Sequence, residues 1–187
     1  MDRSQSLEGK FLIAMPGLND PNFERSVLFI CSHNEEGALG LVINQAHPAS
    51  MQEILEQLDL DWNRHDKAVV YQGGPVALDR GFILYEDALE LPGNLKVEEN
   101  LFLGTNPDIL RRLVEGPSSG RFLFALGYSG WAGGQLELEL KENAWLVSRL
   151  NRRILFDDPL NVRWASALKE MGIDPVKLVD WGGHLTN

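Results

Sequence analysis

The sequence predicts a mixed α and β fold in a single domain spanning residues 1–187. Three observations carry that reading. Two β-rich apolar runs, 26–32 and 38–44, are joined by five residues ending in Gly37, the pattern of an antiparallel hairpin. Ser50 and Glu53 form a capping box ahead of Met51, Ile54, Leu55 and Leu58, whose spacing puts them on one helical face. Three further helical patterns then alternate with strand-like runs, giving four helices in all.

Taken in order, residues 10–15 form a short strand that Pro16-Gly17 ends. The following loop, 18–25, holds the turn formers Asn19, Asp20, Pro21 and Asn22. Val27-Leu28-Phe29-Ile30 and Leu41-Val42-Ile43 are almost continuously apolar, as expected of strands buried on both faces. After the capped helix, the polar stretch 59–66 with Trp62 is expected to be the mobile segment of the first half. A strand at 68–72 runs into Gly73-Gly74-Pro75-Val76, where glycine permits tight geometry and Pro75 fixes φ. Strand 81–85 precedes an acidic loop, 86–94, and short strands at 95–97 and 101–104 flank Glu98-Glu99.

Thr105-Asn106-Pro107-Asp108 opens a helix with Ile109, Leu110, Leu113 and Val114 on its apolar face, and Gly116-Pro117 ends it. Strand 121–126 leads into a glycine-rich stretch. Leu136, Leu138 and Leu140 alternate with glutamates at strand period, yet the residues are good helix formers, so a helix is expected. A strand at 145–150, extended by 154–156, precedes a helix that starts at Asp158-Pro159 and presents Leu160, Trp164, Leu168 and Met171. Gly172 closes that helix, and the tail carries Trp181-Gly182-Gly183-His184.

Composition narrows the function classes. With 27 acidic and 17 basic residues the formal charge is −10, which repels nucleic-acid backbones at long range. No run reaches the roughly 18 apolar residues of a membrane helix, so no membrane partner is expected. Residues 1–9 have neither a basic start nor an apolar core of the secretory kind. The single Cys31 lies in an apolar run, which suits a buried, inert thiol in a reducing compartment. The expected location is cytoplasmic.

The stretch of greatest functional interest is Gly127-Tyr128-Ser129-Gly130-Trp131, with Gly134 and Gln135 close behind. Its plain reading is a glycine turn that closes a strand and starts a helix. Its functional reading is a site in which Tyr128 and Trp131 give contact surface and Gln135 and Asn44 give polar specificity. The turn at Gly73, Gly74 and Pro75 adds the backbone amides of its two glycines, able to face an anion. A nucleophile elbow at Ser129 fails its pattern, because Trp131 stands where a small residue is needed. The histidines at 33, 47, 65 and 184 lack metal-ligand spacing, and His33 with Glu35 and Glu36 reads as a solvated hairpin tip. No phosphate-loop or dinucleotide fingerprint is present, so neither metal nor cofactor is expected. Arg149, Arg152, Arg153 and Arg163 form a modest basic cluster, better suited to salt bridges than to DNA.

In order and coverage, these motifs resemble the YqgE/AlgH family of bacterial proteins. The resemblance rests on Phe23-Glu24-Arg25-Ser26-Val27, Gly40-Leu41-Val42-Ile43-Asn44, Gly73-Gly74-Pro75-Val76, the Gly127–Trp131 block, Gly134-Gln135-Leu136-Glu137, Asn143 and Trp145. At Gly183-His184-Leu185 the chain departs from the family, which more often has a small residue after the histidine. The resemblance implies an α+β fold whose branched, mixed sheet curls into a pseudo-barrel flanked by about four helices. It implies no agreed catalytic residues, and some members are labelled transcriptional regulators. The expectation is a non-enzymatic regulatory module binding a small molecule or a protein partner at Asn44, Gly73, Gly74, Pro75, Tyr128, Ser129, Gly130, Trp131 and Gln135. Two alternatives stand beside it: a transcriptional regulator that contacts DNA, and a hydrolase using Ser129.

Overall fold

The computed structural model describes residues 6–18, 20–61, 68–87, 93–115 and 120–182, with the side chains of 179–182 left aside. The expected loop at Trp62, the helix end at Gly116-Pro117 and the tail at His184 lie outside the described residues.

Among the described residues, nine strands form one sheet. They are β1 (Lys10–Ala14), β2 (Val27–Asn34), β3 (Gly37–Val42), β4 (Val70–Gln72), β5 (Val76–Glu86), β6 (Leu95–Glu98), β7 (Leu101–Gly104), β8 (Phe122–Ala132) and β9 (Trp145–Arg149). The order is β6-β7-β5-β8-β3-β2-β1-β9, with β4 lying parallel against β8 off that path. Every other pairing is antiparallel, and the sheet curls into a half-barrel. Around it sit α1 (Met51–Gln57), α2 (Pro107–Glu115), α3 (Gln135–Lys141), α4 (Arg152–Phe156), α5 (Leu160–Glu170) and α6 (Pro175–Gly182). The described residues thus hold six helices where sequence patterning predicts four. None is long and apolar enough to cross a membrane.

Strand alternation explains the continuous apolar runs. Phe11, Ile13, Val27, Phe29, Leu41, Leu84 and Leu123 point into the half-barrel, where Ile154 and Leu155 of α4 and Trp164, Ala167 and Leu168 of α5 pack against them. Their neighbours Leu12, Leu28, Ile30 and Val42 face the other way, onto Leu136 of α3, Trp131 and Trp145. At the other end of the sheet, Ile83, Tyr85, Phe102 and Phe124 face α1 and α2. Both faces are covered, so polar alternation has no place in these strands.

Local predictions hold where the chemistry is local. The Ser50 capping box is formed in both directions, and the 26–44 hairpin is present with a turn of two residues, Glu35 and Glu36, shorter than the expected five. Three expectations are corrected. Residues 154–156 belong to helix α4 rather than to an extension of β9, because the Asn151 carboxamide caps the Arg153 amide. Met171 is the exposed C-cap of α5, not a member of its buried face. The glycine turn lies later than expected: β8 runs through Gly127 and Gly130 to Ala132, and Gly133-Gly134 then close the strand and start α3.

Candidate functional site

Strand β8 changes partners along its length. Phe122 to Leu126 pairs with β5 on one side and β4 on the other; Ser129 to Ala132 then pairs with β3. Gly127, at φ +73°, lies between these segments and shifts the side-chain phase. Leu123 and Ala125 face the half-barrel interior before it, and Tyr128 faces there after it. Trp131 consequently reaches the opposite core, beside Trp145 and Leu136.

The glycines are small here because backbones touch. A Cβ on Gly73 would lie 2.3 Å from the Gly127 carbonyl oxygen, and one on Gly127 would lie 2.5 Å from the Gly74 oxygen. Gly73 joins both halves of the branch: its amide donates to the Leu126 carbonyl and its own carbonyl accepts from the Val42 amide, each at about 2.9 Å. Gly73 and Gly74 are buried, so their amides face no solvent anion.

Several other candidates are also occupied. Ser129 is 1% exposed, and its hydroxyl donates to the Gly73 carbonyl at 3.3 Å. It sits within a strand rather than on a strand-to-helix elbow, so it lacks the exposed hydroxyl a hydrolase requires. The Asn44 side chain accepts from the Val27 amide at 2.8 Å and donates to the Arg25 carbonyl at 2.9 Å, clamping the turn before β2. Gln135 is exposed, but its carboxamide accepts from the Ala132 amide at 3.0 Å and donates to Glu139 at 2.9 Å. Trp131 is 7% exposed and stacks edge-on against Trp145.

Sequence reasoning missed the residue that organises this region. Glu139 Oε2 accepts from both indoles, Trp131 Nε1 at 2.9 Å and Trp145 Nε1 at 2.7 Å. One carboxylate on α3 thereby holds β8 and β9 together. The available signal was Glu139 four residues after Gln135, on one face of the expected helix. His33 was also misread as solvated. Its ring is buried, with Nδ1 accepting from the Leu7 amide at 3.0 Å and Nε2 facing Glu137 Oε1 at 3.0 Å. Since Nδ1 accepts, Nε2 carries the proton and donates to Glu137.

Cys31 meets expectation: it is fully buried, and burial, with a smaller push from the Glu8 charge, drives its thiol far above the ordinary range. Two of the four arginines expected in salt bridges are so engaged among the described residues. Arg152 pairs with Glu86, Arg153 with Asp158 at 2.7 Å, and Arg163 is buried.

Of the other candidates, Pro75 and Gly130 are exposed, and the half-buried Tyr128 lines a groove of about 280 Å³. Leu39, Phe82, Leu95, Leu103 and Tyr128 line it, with Arg80 at its edge. The Phe82 and Tyr128 rings lie 5.4 Å apart, and Gly130 leaves room for the Tyr128 ring. The groove opens where β7 stops. Pairing of β5 with β7 covers only Ile83 to Glu86, while the register against β8 jumps from Val76–Tyr128 to Gly81–Leu126. Residues 77–80 therefore bulge outward with Ala77 at φ +50°, leaving Val76 38% and Leu78 56% exposed. Arg80 stacks over Phe82 and has no ion pair among the described residues.

Comparison with known proteins gives one consistent answer. The family model described as AlgH-like matches residues 11–176. A UPF0301 protein of Magnetococcus marinus is 54% identical over 175 residues, 94% of each chain. One from Vibrio vulnificus is 44% identical over 186 residues, 96% of this chain and 99% of its own. The solution structure of the AlgH protein from Pseudomonas aeruginosa superposes with a TM-score of 0.77 at 38% identity, covering 95% of each chain. A Corynebacterium diphtheriae protein has the same fold at 21% identity, with a TM-score of 0.71 over 97% of this chain and 94% of its own.

Proposed function

We propose that this chain, which belongs to the AlgH-like family, is a non-enzymatic regulatory module that docks an extended segment of a protein partner. The observation that supports this reading is the part of β5 beyond β7, where an open strand edge, exposed Leu78 and Arg80, which lacks an ion pair among the described residues, adjoin the Tyr128 groove. An unpaired strand edge is a template for another strand, and pockets beside it select alternate side chains. Exposed apolar side chains flanking a shallow groove suit a polypeptide better than an enclosed small molecule. Arg80 has no ion pair among the described residues of a protein of net charge −10, so the segment is expected to pair an apolar anchor with a carboxylate.

Of the nine residues singled out from sequence, Tyr128, Gly130 and Pro75 belong to this surface in our reading. The other six are held in contacts within the fold. We read residues 1–187 as one module, and the single buried thiol supports a cytoplasmic setting. Regulation through a protein partner also agrees with the engaged Arg152, Arg153 and Arg163, which leave little basic surface for DNA.

Peptide display selection against the wild-type chain, counter-selected on Arg80→Glu, tests the reading. It expects enrichment of extended sequences with an apolar residue near an acidic one, and loss of their binding in Leu78→Ser and Tyr128→Ala with folding intact by circular dichroism. Enriched peptides that bind wild type and Arg80→Glu equally, or no enrichment, would overturn it.

A further inference from the structure

A second cavity, about 320 Å³, lies where β4 and the start of β8 meet the α4–α5 junction. Two polar groups that line it are incompletely matched. Arg163 is 1% exposed, and its guanidinium donates only to neutral oxygens: the Asp158 carbonyl at 2.8 Å, the Ile43 carbonyl, and the Tyr71 hydroxyl at 3.2 Å. Those bonds use three of the five N–H donors a guanidinium carries. No carboxylate lies within ion-pair distance of it among the described residues. A buried guanidinium stays charged, and isolation from a counter-ion is costly.

The second group is Asp158, whose side chain is 9% exposed. Its Oδ1 accepts from Arg153 at 2.7 Å, whereas Oδ2 is buried with no hydrogen-bond partner. It is the only such side-chain atom among the described residues. One cavity therefore holds a cation without an anion and a carboxylate oxygen without a donor. Water can supply a hydrogen bond to Oδ2, but it brings no charge to Arg163. The remaining walls combine apolar side chains, among them Val69, Phe122, Phe156 and Leu160, with Arg121 and Asp157, which already pair with each other at 2.7 Å.

We propose that this cavity binds a small zwitterion of the α-amino acid class. Its carboxylate meets the free N–H groups of Arg163, its ammonium donates to Asp158 Oδ2, and a short apolar side chain rests against Phe122 and Leu160. Arginine presents planar, paired donors that match a carboxylate, which favours this orientation over the reverse. The site is separate from the Tyr128 groove and does not depend on it.

The test is calorimetric titration with L-leucine, with isocaproate, which lacks the ammonium, and with isoamylamine, which lacks the carboxylate. Leucine is expected to bind, and each analogue to bind on the order of tenfold more weakly or worse, as loss of one charged hydrogen bond implies. In Asp158→Asn the preference for leucine over isocaproate is expected to vanish, a change that a merely structural role would not produce. Because Arg163 variants risk unfolding, its role is read in the wild type: leucine should shift the amide NMR signals of Tyr71 and Leu160 through Arg163. Absence of leucine binding, equal binding of isocaproate, or shifts confined to other regions would each overturn the proposal.

Discussion

Replacing Glu139 by alanine removes an acceptor shared by two tryptophans on different strands. In the folded chain Glu139 Oε2 takes the indole protons of Trp131 and Trp145 at 2.9 and 2.7 Å, while those rings are 7% and 4% exposed. A hydrogen bond to a charged partner contributes about 1.5–3 kcal/mol, so two give a ceiling of about 6 kcal/mol. Glu139 is itself half-buried, and water admitted by the substitution can satisfy part of the loss. The expected cost is about 3 kcal/mol, or a fall in Tm of about 6–12 °C for a chain of this size. Glu139→Gln retains one acceptor oxygen and should lose about half as much. Urea unfolding followed by tryptophan emission measures both. A double-mutant cycle with Trp145→Phe should return a coupling of about 1 kcal/mol or more. If Glu139→Ala unfolds within about 0.5 kcal/mol of wild type, or the cycle shows no coupling, the carboxylate does not hold these strands together.

Two glycines in left-handed conformations provide a contrast. Gly134 (φ +78°) faces open space, so Gly134→Ala should cost about 1–2 kcal/mol from backbone strain alone. Gly127 (φ +73°) faces the Gly74 carbonyl, and Gly127→Ala should cost more than about 3 kcal/mol in the same urea assay. The third prediction concerns acid. Burial works to raise the Glu86 pKa, but hydrogen bonds and charge from Arg121 and Arg152 outweigh it and hold the carboxyl below its ordinary 4.5. Its contribution is therefore present above that value and lost as pH falls through the lower folded pKa. The stability gap between wild type and Glu86→Gln should narrow on acidification from neutral pH; a constant gap would contradict the assignment.

Sequence patterning reads most clearly where cause and effect are a few residues apart. Ser50 and Glu53 announce their capping box because both partners lie in one turn. The alternation at 136–140 fits a strand, and helix propensity correctly overrides it. The Gly127–Trp131 block misleads because turns and strand crossings both need small residues and unusual φ. Only the approach of the Gly74 backbone, far off in sequence, separates them. His33 fails for the same reason, since neither Leu7 nor Glu137 is recognisable as its partner from local context. Asn151 did carry a readable cap signal for α4, but the apolar triplet Ile154 to Phe156 suits either period. The surface members of the candidate site could not be told from its structural ones without knowing which backbones meet.

The order of the strands also sets a schedule for biosynthesis. β2 and β3 leave the ribosome as an early hairpin, yet the neighbour of β3 is β8, and β1 closes against β9 through Lys10 and Arg149. The β3–β8 pairing cannot form until about seven-tenths of these 187 residues have been made, and the β1–β9 pairing until about four-fifths. Until then the apolar backs of Phe29, Leu41 and Ile43 have no native cover. A nascent chain of this architecture spends most of its translation with an open seam, the interval in which chaperone capture or aggregation competes with closure.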